Sequence, residues 1–158
     1  MVIKNWVVNL FLLLSAVGVI DSAYLTISHL RGGESGCFLV EGCDIVLSSS
    51  YSEFLGIPVA LFGLLFYVVI FTGVFIYNLK RNDLLMRKIA LISPLGFLAS
   101  LCFLYIQAVV LKAFCTYCLL SALLSTIIFI LGMYVLLLKR EKFGQNKEEM
   151  VESEGFNI

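Results

Sequence analysis

The sequence predicts an all-α membrane protein: a four-transmembrane-helix bundle with a cysteine-bearing extracytoplasmic loop between helices 1 and 2. Composition is the first reason, because 61% of the 158 residues are hydrophobic and 14% are charged, whereas soluble domains are about half apolar and about a quarter charged. The second reason is a set of four apolar stretches, each reaching the roughly 20 residues that a helix needs to cross a bilayer. The third is that positive charges gather at one set of helix ends.

The predicted spans cover residues 6–29, 58–79, 89–111 and 116–138. Short segments join them, so consecutive helices are expected to be antiparallel neighbours. Together they form one domain, 1–140, and leave no room for a separate soluble catalytic domain. A polar cytoplasmic tail, 141–158, is expected to be disordered. The first span is too long for a signal-peptide core and shows no clear cleavage site, which predicts that it is retained.

Positive charge predicts the orientation of the bundle. Lysine and arginine beside a span are retained in the cytoplasm, and only Arg31 and Lys112 fall on the opposite side from the rest. Both termini are therefore expected in the cytoplasm, and the 30–57 loop and the start of the fourth span outside it, where disulfides persist. The cytoplasmic set is Lys4, Lys80, Arg81, Arg87, Lys88, Lys139, Arg140, Lys142 and Lys147.

Asp21 lies within the first apolar span, where a charge is costly unless it is paired or hydrated. One interpretation is a proton relay or a polar partner for a bound cofactor. The other is a hydrogen-bonded carboxyl, joined by Ser22 or Thr26, that locks helices together. His29, at the outer end of this span, is expected to be solvated or to snorkel towards water rather than to act as a ligand.

The outer loop contains Cys37 and Cys43. These cysteines can bridge if the chain between them folds back, and Gly36 and Gly42 permit such a turn. The pair is either a redox pair that a soluble protein can reach or an inert brace on the loop.

The rest of the loop is unusually apolar, which predicts a lid over the membrane mouth. Hydroxyls of Ser48, Ser49 and Ser50 either donate hydrogen bonds into a pocket beneath this lid or simply solvate a turn or cap a helix. In the third span, Pro94 and Gly96 predict a kink. The apolar loop residues are Phe38, Leu39, Val40, Ile45, Val46, Leu47, Tyr51, Phe54 and Leu55.

Cys115 and Cys118 stand three residues apart where the fourth apolar run begins. One helical turn places both sulfurs on the same face, close enough to form a disulfide. Backbone N–H groups and the helix dipole favour the reactive thiolate at such a position. The fifth cysteine, Cys102, is expected to be a small buried apolar residue of the third span.

Several other chemistries fit these cysteines less well than electron transfer. Four outward cysteines in two pairs suit a zinc site, but one pair begins a membrane span and the compartment favours disulfides. Haem attachment requires a histidine after the second cysteine, and Leu119 stands there. No flavin or nicotinamide fingerprint is present. A thiol–disulfide relay from the loop pair to the membrane-edge pair remains, with a lipid-soluble quinone as the natural acceptor.

A family pattern runs through these residues, and it resembles the vitamin K epoxide reductase family, most closely its bacterial and archaeal members. The similarity extends from the first span to the fourth. It implies an oxidoreductase of a prokaryotic plasma membrane that makes disulfides in secreted proteins by passing electrons to a quinone such as ubiquinone or menaquinone. The pattern consists of Cys37, Cys43-Asp44, Ser49, Gly56-Ile57-Pro58, Phe62-Gly63 and Cys115-Thr116-Tyr117-Cys118.

The resemblance also implies a role for each site residue. Cys37 exchanges with a thioredoxin-like partner, and Cys43 passes electrons to Cys115. Cys118 faces the quinone, and Ser49 orients or polarises the quinone ring. Many bacterial members carry a fused thioredoxin-like domain after the fourth span, and this chain has a polar tail there. The expected partner is therefore a separate soluble dithiol protein acting in trans, with no nucleic-acid partner.

Two positions depart from the animal enzymes that reduce vitamin K epoxide. Those enzymes contact the quinone through an asparagine and a tyrosine, and the matching positions here are Val59 and Ala122. Neither side chain can supply those hydrogen bonds. A reductase of vitamin K quinone or its epoxide is thus the alternative enzyme. From a different class, the alternative is a non-catalytic scaffold with four spans and a disulfide-braced loop.

Overall fold

The computed structural model describes residues 4–31, 45–46, 49 and 51–155. Two of the predicted site residues, Cys37 and Cys43, lie outside the described residues, as do Ser48 and Ser50.

Four long helices make up most of the described chain. Helix α1 spans Asn5–Leu30, α2 spans Val59–Lys80, α3 spans Asp83–Tyr105 and continues as a π-helix over Ile106–Leu111, and α4 spans Thr116–Gly155. A short antiparallel hairpin of β1, Glu53–Phe54, and β2, Ile57–Pro58, precedes α2. Within the described residues, all four helices are long and apolar enough to cross a membrane. The predicted fold class is confirmed, and the chain is an integral multi-pass membrane protein.

The third helix begins earlier than the apolar run predicts. The predicted span starts at residue 89, whereas the helix that contains it begins at Asp83. The Asn82 side chain accepts a hydrogen bond from the Leu84 N–H at 3.0 Å, and this cap satisfies one of the free donors of the first turn. Asp83 adds an acidic group in the first turn, where the helix dipole favours it. Capping, rather than hydropathy, therefore decides where this helix starts.

The fourth helix extends well beyond its apolar part. The expectation of a disordered tail is wrong for residues 141–155, because α4 continues to Gly155. That segment contains five glutamates and two lysines, and both residue types have favourable helix propensities.

Pro94 and Gly96 lie inside an uninterrupted α3. Gly96 has a packing role, because a Cβ at this position would lie 2.3 Å from the Phe66 ring of α2. The departure from α-helical geometry comes later, in the π-helix, and the chain then reverses at Lys112, whose φ of 50° is left-handed. The irregularity that the structure shows in the third span is therefore the π-helix that follows Tyr105.

The helices close into a bundle in which α1 packs mainly on α2 and α3 mainly on α4, with further contacts between α1 and α4 and between α2 and α3. Cys102 lies on the exposed surface of this bundle, which corrects the prediction that it is buried. In a membrane protein the surface that faces lipid is as apolar as the interior, so hydropathy cannot separate the two. The main core cluster includes Val7, Phe11, Tyr67, Ile70, Val74, Tyr77, Met86, Ile128 and Val135.

Candidate functional site

Two thiols meet at the start of α4. Cys115 immediately precedes the helix and is 0% exposed, and Cys118 lies in the first turn as a free thiol, like Cys115. The Cys118 N–H points to the Cys115 Sγ at a distance of 3.5 Å. Cys115 therefore occupies the position in which a capping side chain accepts a hydrogen bond from the third residue of the helix. The structure brings the two sulfurs together within one helical turn.

The surroundings of Cys115 favour its thiolate. A hydrogen bond from the Cys118 thiol lowers the pKa of Cys115, and the backbone N–H groups of Cys118 and Tyr117 lower it further. Burial and the charge of Asp21 act in the opposite direction, but the net shift is downward. A thiolate is the form that attacks disulfides and leaves from them, so Cys115 is prepared for exchange chemistry.

Gln107 holds the segment before α4 in place. Its Oε1 accepts a hydrogen bond from the Cys115 N–H at 3.2 Å, and its backbone carbonyl accepts one from the Ala113 N–H at 3.2 Å. The side chain is buried in the π-helix. The sequence does not predict this role, because an amide within an apolar span is the only signal and the π-helix that aims it depends on tertiary packing.

An apolar cavity of about 450 Å³ lies beside the cysteine pair, within the usual size range of small-molecule sites. Residues from all four helices line it, and Cys118 is among them whereas Cys115 is not. The two thiols thus have different surroundings: one faces the cavity and the other is enclosed by protein. Polar lining residues are Ser22, His29, Ser52, Tyr67, Ser100, Gln107, Ser121 and Ser125.

Val59 and Ala122 both line the cavity. Ser49 does not; its hydroxyl donates to the Val46 carbonyl oxygen at 2.7 Å, which corresponds to the turn-forming alternative. Ser52, whose hydroxyl donates to the Ser49 carbonyl oxygen at 2.7 Å, lines the cavity, so of the two described serines of this segment it is the one that does. The described structure therefore places Ser52, rather than Ser49, where a ligand in the cavity would meet a hydroxyl.

Hydroxyl groups around the cavity hold the helices to one another. The Tyr67 hydroxyl donates to the Ser121 carbonyl oxygen at 2.7 Å and lies 3.1 Å from the Ser121 Oγ, which joins α2 to α4. Ser100 and Ser125 are joined Oγ to Oγ at 2.7 Å, which connects α3 to α4. Hydrogen bonds between spans are worth about 1 kcal/mol each, and these two set the shape of the cavity wall.

The end of α1 is tied to the hairpin by His29, whose Nε2 lies 3.1 Å from the Glu53 Oε1. His29 therefore lies at the outer end of the first span and in addition contacts an acidic side chain that is half exposed. Deeper in the bundle, Val46 is buried and packs with Leu25, Ala113 and Cys115. This contact shows that part of the predicted lid reaches the cysteine pair.

Asp21 is 5% exposed, and within the described part of the chain neither of its carboxyl oxygens has a hydrogen-bond partner. The interpretation of a carboxyl that locks helices through Ser22 or Thr26 does not match this geometry, because the Thr26 hydroxyl donates to the Ser22 carbonyl oxygen at 2.7 Å instead. The Thr116 hydroxyl, at the start of α4, is also buried without a partner.

Across residues 4–31, 45–46, 49 and 51–155, no group of three or more histidine, cysteine or acidic side chains is arranged to hold a metal ion. The zinc alternative needs Cys37 and Cys43, so this finding does not test it.

The chain matches the model of the vitamin K epoxide reductase family over residues 9–133. This range contains the predicted loop cysteines, the pair at the start of α4, the π-helix and all the residues that line the cavity.

Proposed function

Because the chain belongs to the vitamin K epoxide reductase family, we propose that this membrane oxidoreductase is a quinone-dependent thiol oxidase. It generates disulfides by reoxidising a soluble thioredoxin-like dithiol protein. The single observation that supports this most is the position of Cys118, which lies one turn from Cys115 and also lines the cavity. One thiol of the pair therefore lines a cavity of the size that a small electron acceptor needs.

The cavity fits a quinone in size and in chemistry. Its volume of about 450 Å³ and its mainly apolar wall suit a ring with an isoprenoid tail. Hydroxyls of Ser52 and Ser121 and the amide of Gln107 offer hydrogen-bonding groups at its surface. A quinone supplies an acceptor for two electrons and two protons. Cys118 lines this cavity, which supports its role as the thiol that delivers the electrons.

The relay that we propose begins at the loop. A thiolate of the partner attacks Cys37 in the Cys37–Cys43 disulfide, and the partner's second thiol displaces Cys37 as the partner's own disulfide forms. The two loop thiols are now reduced. Cys43 then attacks Cys115 in the Cys115–Cys118 disulfide, and Cys118 leaves as a thiolate.

The loop disulfide re-forms when Cys37 attacks Cys43, and Cys115 leaves as a thiolate. A thiol of lower pKa leaves faster, so the hydrogen bonds that lower the pKa of Cys115 assist this step. Cys115 then closes on Cys118 as two electrons and two protons pass to the acceptor. Overall, one dithiol is oxidised and one quinone is reduced.

The location that we propose is a prokaryotic plasma membrane with both termini in the cytoplasm. The distribution of lysine and arginine supports this orientation, which places the cysteine pair on the extracytoplasmic side, where newly made disulfides persist.

The cavity argues against reduction of vitamin K epoxide by the same relay. Val59 and Ala122 both line it, and their side chains have no hydrogen-bonding group for the oxygen atoms of the substrate. The two positions that contact the quinone ring in the animal enzymes are therefore apolar in this chain.

Turnover by the purified chain tests the proposal. We expect a reduced thioredoxin-like protein to be oxidised with formation of one hydroquinone per disulfide, with ubiquinone or with menaquinone. No turnover with either quinone would overturn the proposed function. Cys102→Ser is the matched control, because Cys102 is an exposed cysteine that the relay does not use.

A further inference from the structure

Asp21 is a buried carboxyl without an assigned role in the relay. It is 5% exposed, and among the residues that the structure describes neither oxygen has a hydrogen-bond partner. In an apolar span an ionisable side chain is costly unless it is compensated, and most buried polar groups are paired. An unpaired carboxyl at this depth therefore requires a functional explanation.

The neighbours of Asp21 on α1 pack against Tyr67, which lines the cavity, and against Cys115 of the cysteine pair. One turn earlier, Gly18 packs on the Tyr67 ring so closely that a Cβ would lie 2.4 Å from it. One turn later, Leu25 packs with Cys115. With a rise of about 1.5 Å per residue, Asp21 lies roughly 5 Å along the axis of α1 from each of these contacts.

Nearby titratable groups come from two packed helices. Asp21 interacts electrostatically with Tyr67 of α2 and with Cys115, Tyr117 and Cys118 at the start of α4. On its own helix, Tyr24 is in ring contact with Tyr117, with 4.9 Å between centroids. Among the described residues no cation acts on Asp21. The groups that share this space are therefore acids, and they compete for the same protons.

We propose that Asp21 is the proton-exchanging partner of the cysteine pair. Its carboxylate takes up a proton when the pair is reduced and Cys115 is a thiolate, and it releases that proton when the disulfide closes. The inference rests on the proposed function, in which Cys115 and Cys118 alternate between dithiol and disulfide.

Charge and proton balance support this assignment. In the oxidised site the disulfide is neutral and Asp21 is a carboxylate. In the reduced site Cys118 is a thiol, Cys115 is a thiolate and Asp21 is a neutral carboxyl. Two electrons and two protons separate these states, the same numbers that a quinone accepts. The site holds one negative charge in both states, so no charge is created in a medium of low dielectric constant, where that would be costly.

The number of protons taken up per disulfide reduced tests the inference without any quinone. In the full chain, the substitutions Cys37→Ser, Cys43→Ser and Cys102→Ser leave Cys115 and Cys118 as the remaining cysteines. The midpoint potential of this pair is then measured in glutathione redox buffers. The pH range is one in which Cys115 is a thiolate in the reduced protein. We expect the midpoint potential to change with pH by the amount that corresponds to two protons taken up per two electrons. In Asp21→Asn the slope falls by half, and in Asp21→Glu it is restored.

Asp83→Asn is the control, because it makes the same chemical change at the first residue of α3. In this variant we expect the midpoint potential to keep the slope of two protons per two electrons. A slope of two protons in Asp21→Asn would overturn the inference alone. A cysteine pair that never forms a disulfide would overturn the proposed function and the inference with it.

Redox-induced infrared difference spectra of the isolated pair with an intact Asp21 provide a second test that does not depend on folding of the Asn variant. With aspartate carboxyls labelled by ¹³C, a protonated carboxyl band should appear on reduction and disappear on oxidation. An aspartate spectrum that does not change with the state of the pair would overturn the inference.

Discussion

The backbone N–H of Cys115 donates a hydrogen bond to the Oε1 of Gln107 at 3.2 Å. This bond crosses the break between the third and fourth spans, because Gln107 lies in the π-helix and Cys115 directly before α4. Since both residues are buried, the bond satisfies a donor that has no access to water. The position of the reactive thiol thus depends on an amide in the preceding helix.

Replacement of Gln107 by leucine should destabilise the protein. The Cys115 N–H would remain buried without an acceptor, which costs about 1–3 kcal/mol. Thermal unfolding in detergent measures the change, and the rate of Cys115 alkylation reports whether the thiol has moved. A Gln107→Leu protein with unchanged stability and unchanged alkylation would show that the hydrogen bond has no structural role.

Two glycines provide a matched test of helix packing. At Gly18 a Cβ would lie 2.4 Å from the Tyr67 ring, whereas at Gly63 the nearest atom, the Ser22 Oγ, is 3.5 Å away. We expect Gly18→Ala to destabilise the bundle by about 1–3 kcal/mol, as overpacking does, and Gly63→Ala to stay within about 0.5 kcal/mol. Equal unfolding midpoints for the two variants would contradict the packing of α1 against Tyr67.

Alkylation of Cys115 should move to higher pH in Cys118→Ala. The hydrogen bond from Cys118 lowers the pKa of Cys115, so its loss raises that pKa and the thiolate forms later as pH increases. Rates of iodoacetamide modification against pH, with the modified residue identified by mass spectrometry, measure the shift. Leu119→Ala, a change at the neighbouring exposed position, should leave the profile in place. A shift to lower pH in Cys118→Ala would contradict the account.

Partial filling of the cavity should weaken quinone binding. Ala122 lines the cavity, and Leu123 beside it lies on the exposed surface of α4. An overpacked contact costs about 1–3 kcal/mol, so we expect the KM for quinone to rise about 5- to 150-fold in Ala122→Phe and to stay unchanged in Leu123→Phe. Dithiol exchange with the partner, followed without quinone, should be equal in the two variants. Equal KM values would show that the cavity is not the quinone site.

The two loop cysteines should differ in the intermediates they trap. When Cys43→Ala is incubated with the partner in its disulfide form, the Cys37 thiolate attacks that disulfide and no second loop thiol can release the partner, so the mixed disulfide should accumulate on a non-reducing gel. Cys37→Ala should not accumulate this species. The reverse result would exchange the proposed roles of Cys37 and Cys43.

The four helices were predictable because a bilayer imposes a minimum apolar length, and each of the four runs exceeds it. The pairing of Cys115 with Cys118 was predictable for a similar reason, since helical spacing alone places them on one face. Hydropathy could not predict that Cys102 lies on the outer surface, because lipid and protein interior are equally apolar.

Other features of the site depend on tertiary structure. Gln107 reaches the Cys115 N–H through a π-helix, and no local pattern in the third span indicates one. The sequence shows that Asp21 is ionisable and inside a span, but only the fold shows that its oxygens have no partner. Likewise, a serine run does not show which hydroxyl faces inward, and Ser52 rather than Ser49 lies at the cavity.

The central claim is that Cys118 delivers electrons to a quinone while Cys115 receives them from the loop. The most direct test uses the full chain with Cys37→Ser and Cys43→Ser. This protein is first reduced and is then mixed with quinone in the absence of oxygen. The account predicts one hydroquinone per protein and a Cys115–Cys118 disulfide identified by mass spectrometry, and neither product when Cys118→Ala is added. Hydroquinone formation that persists in the Cys118→Ala protein would contradict it.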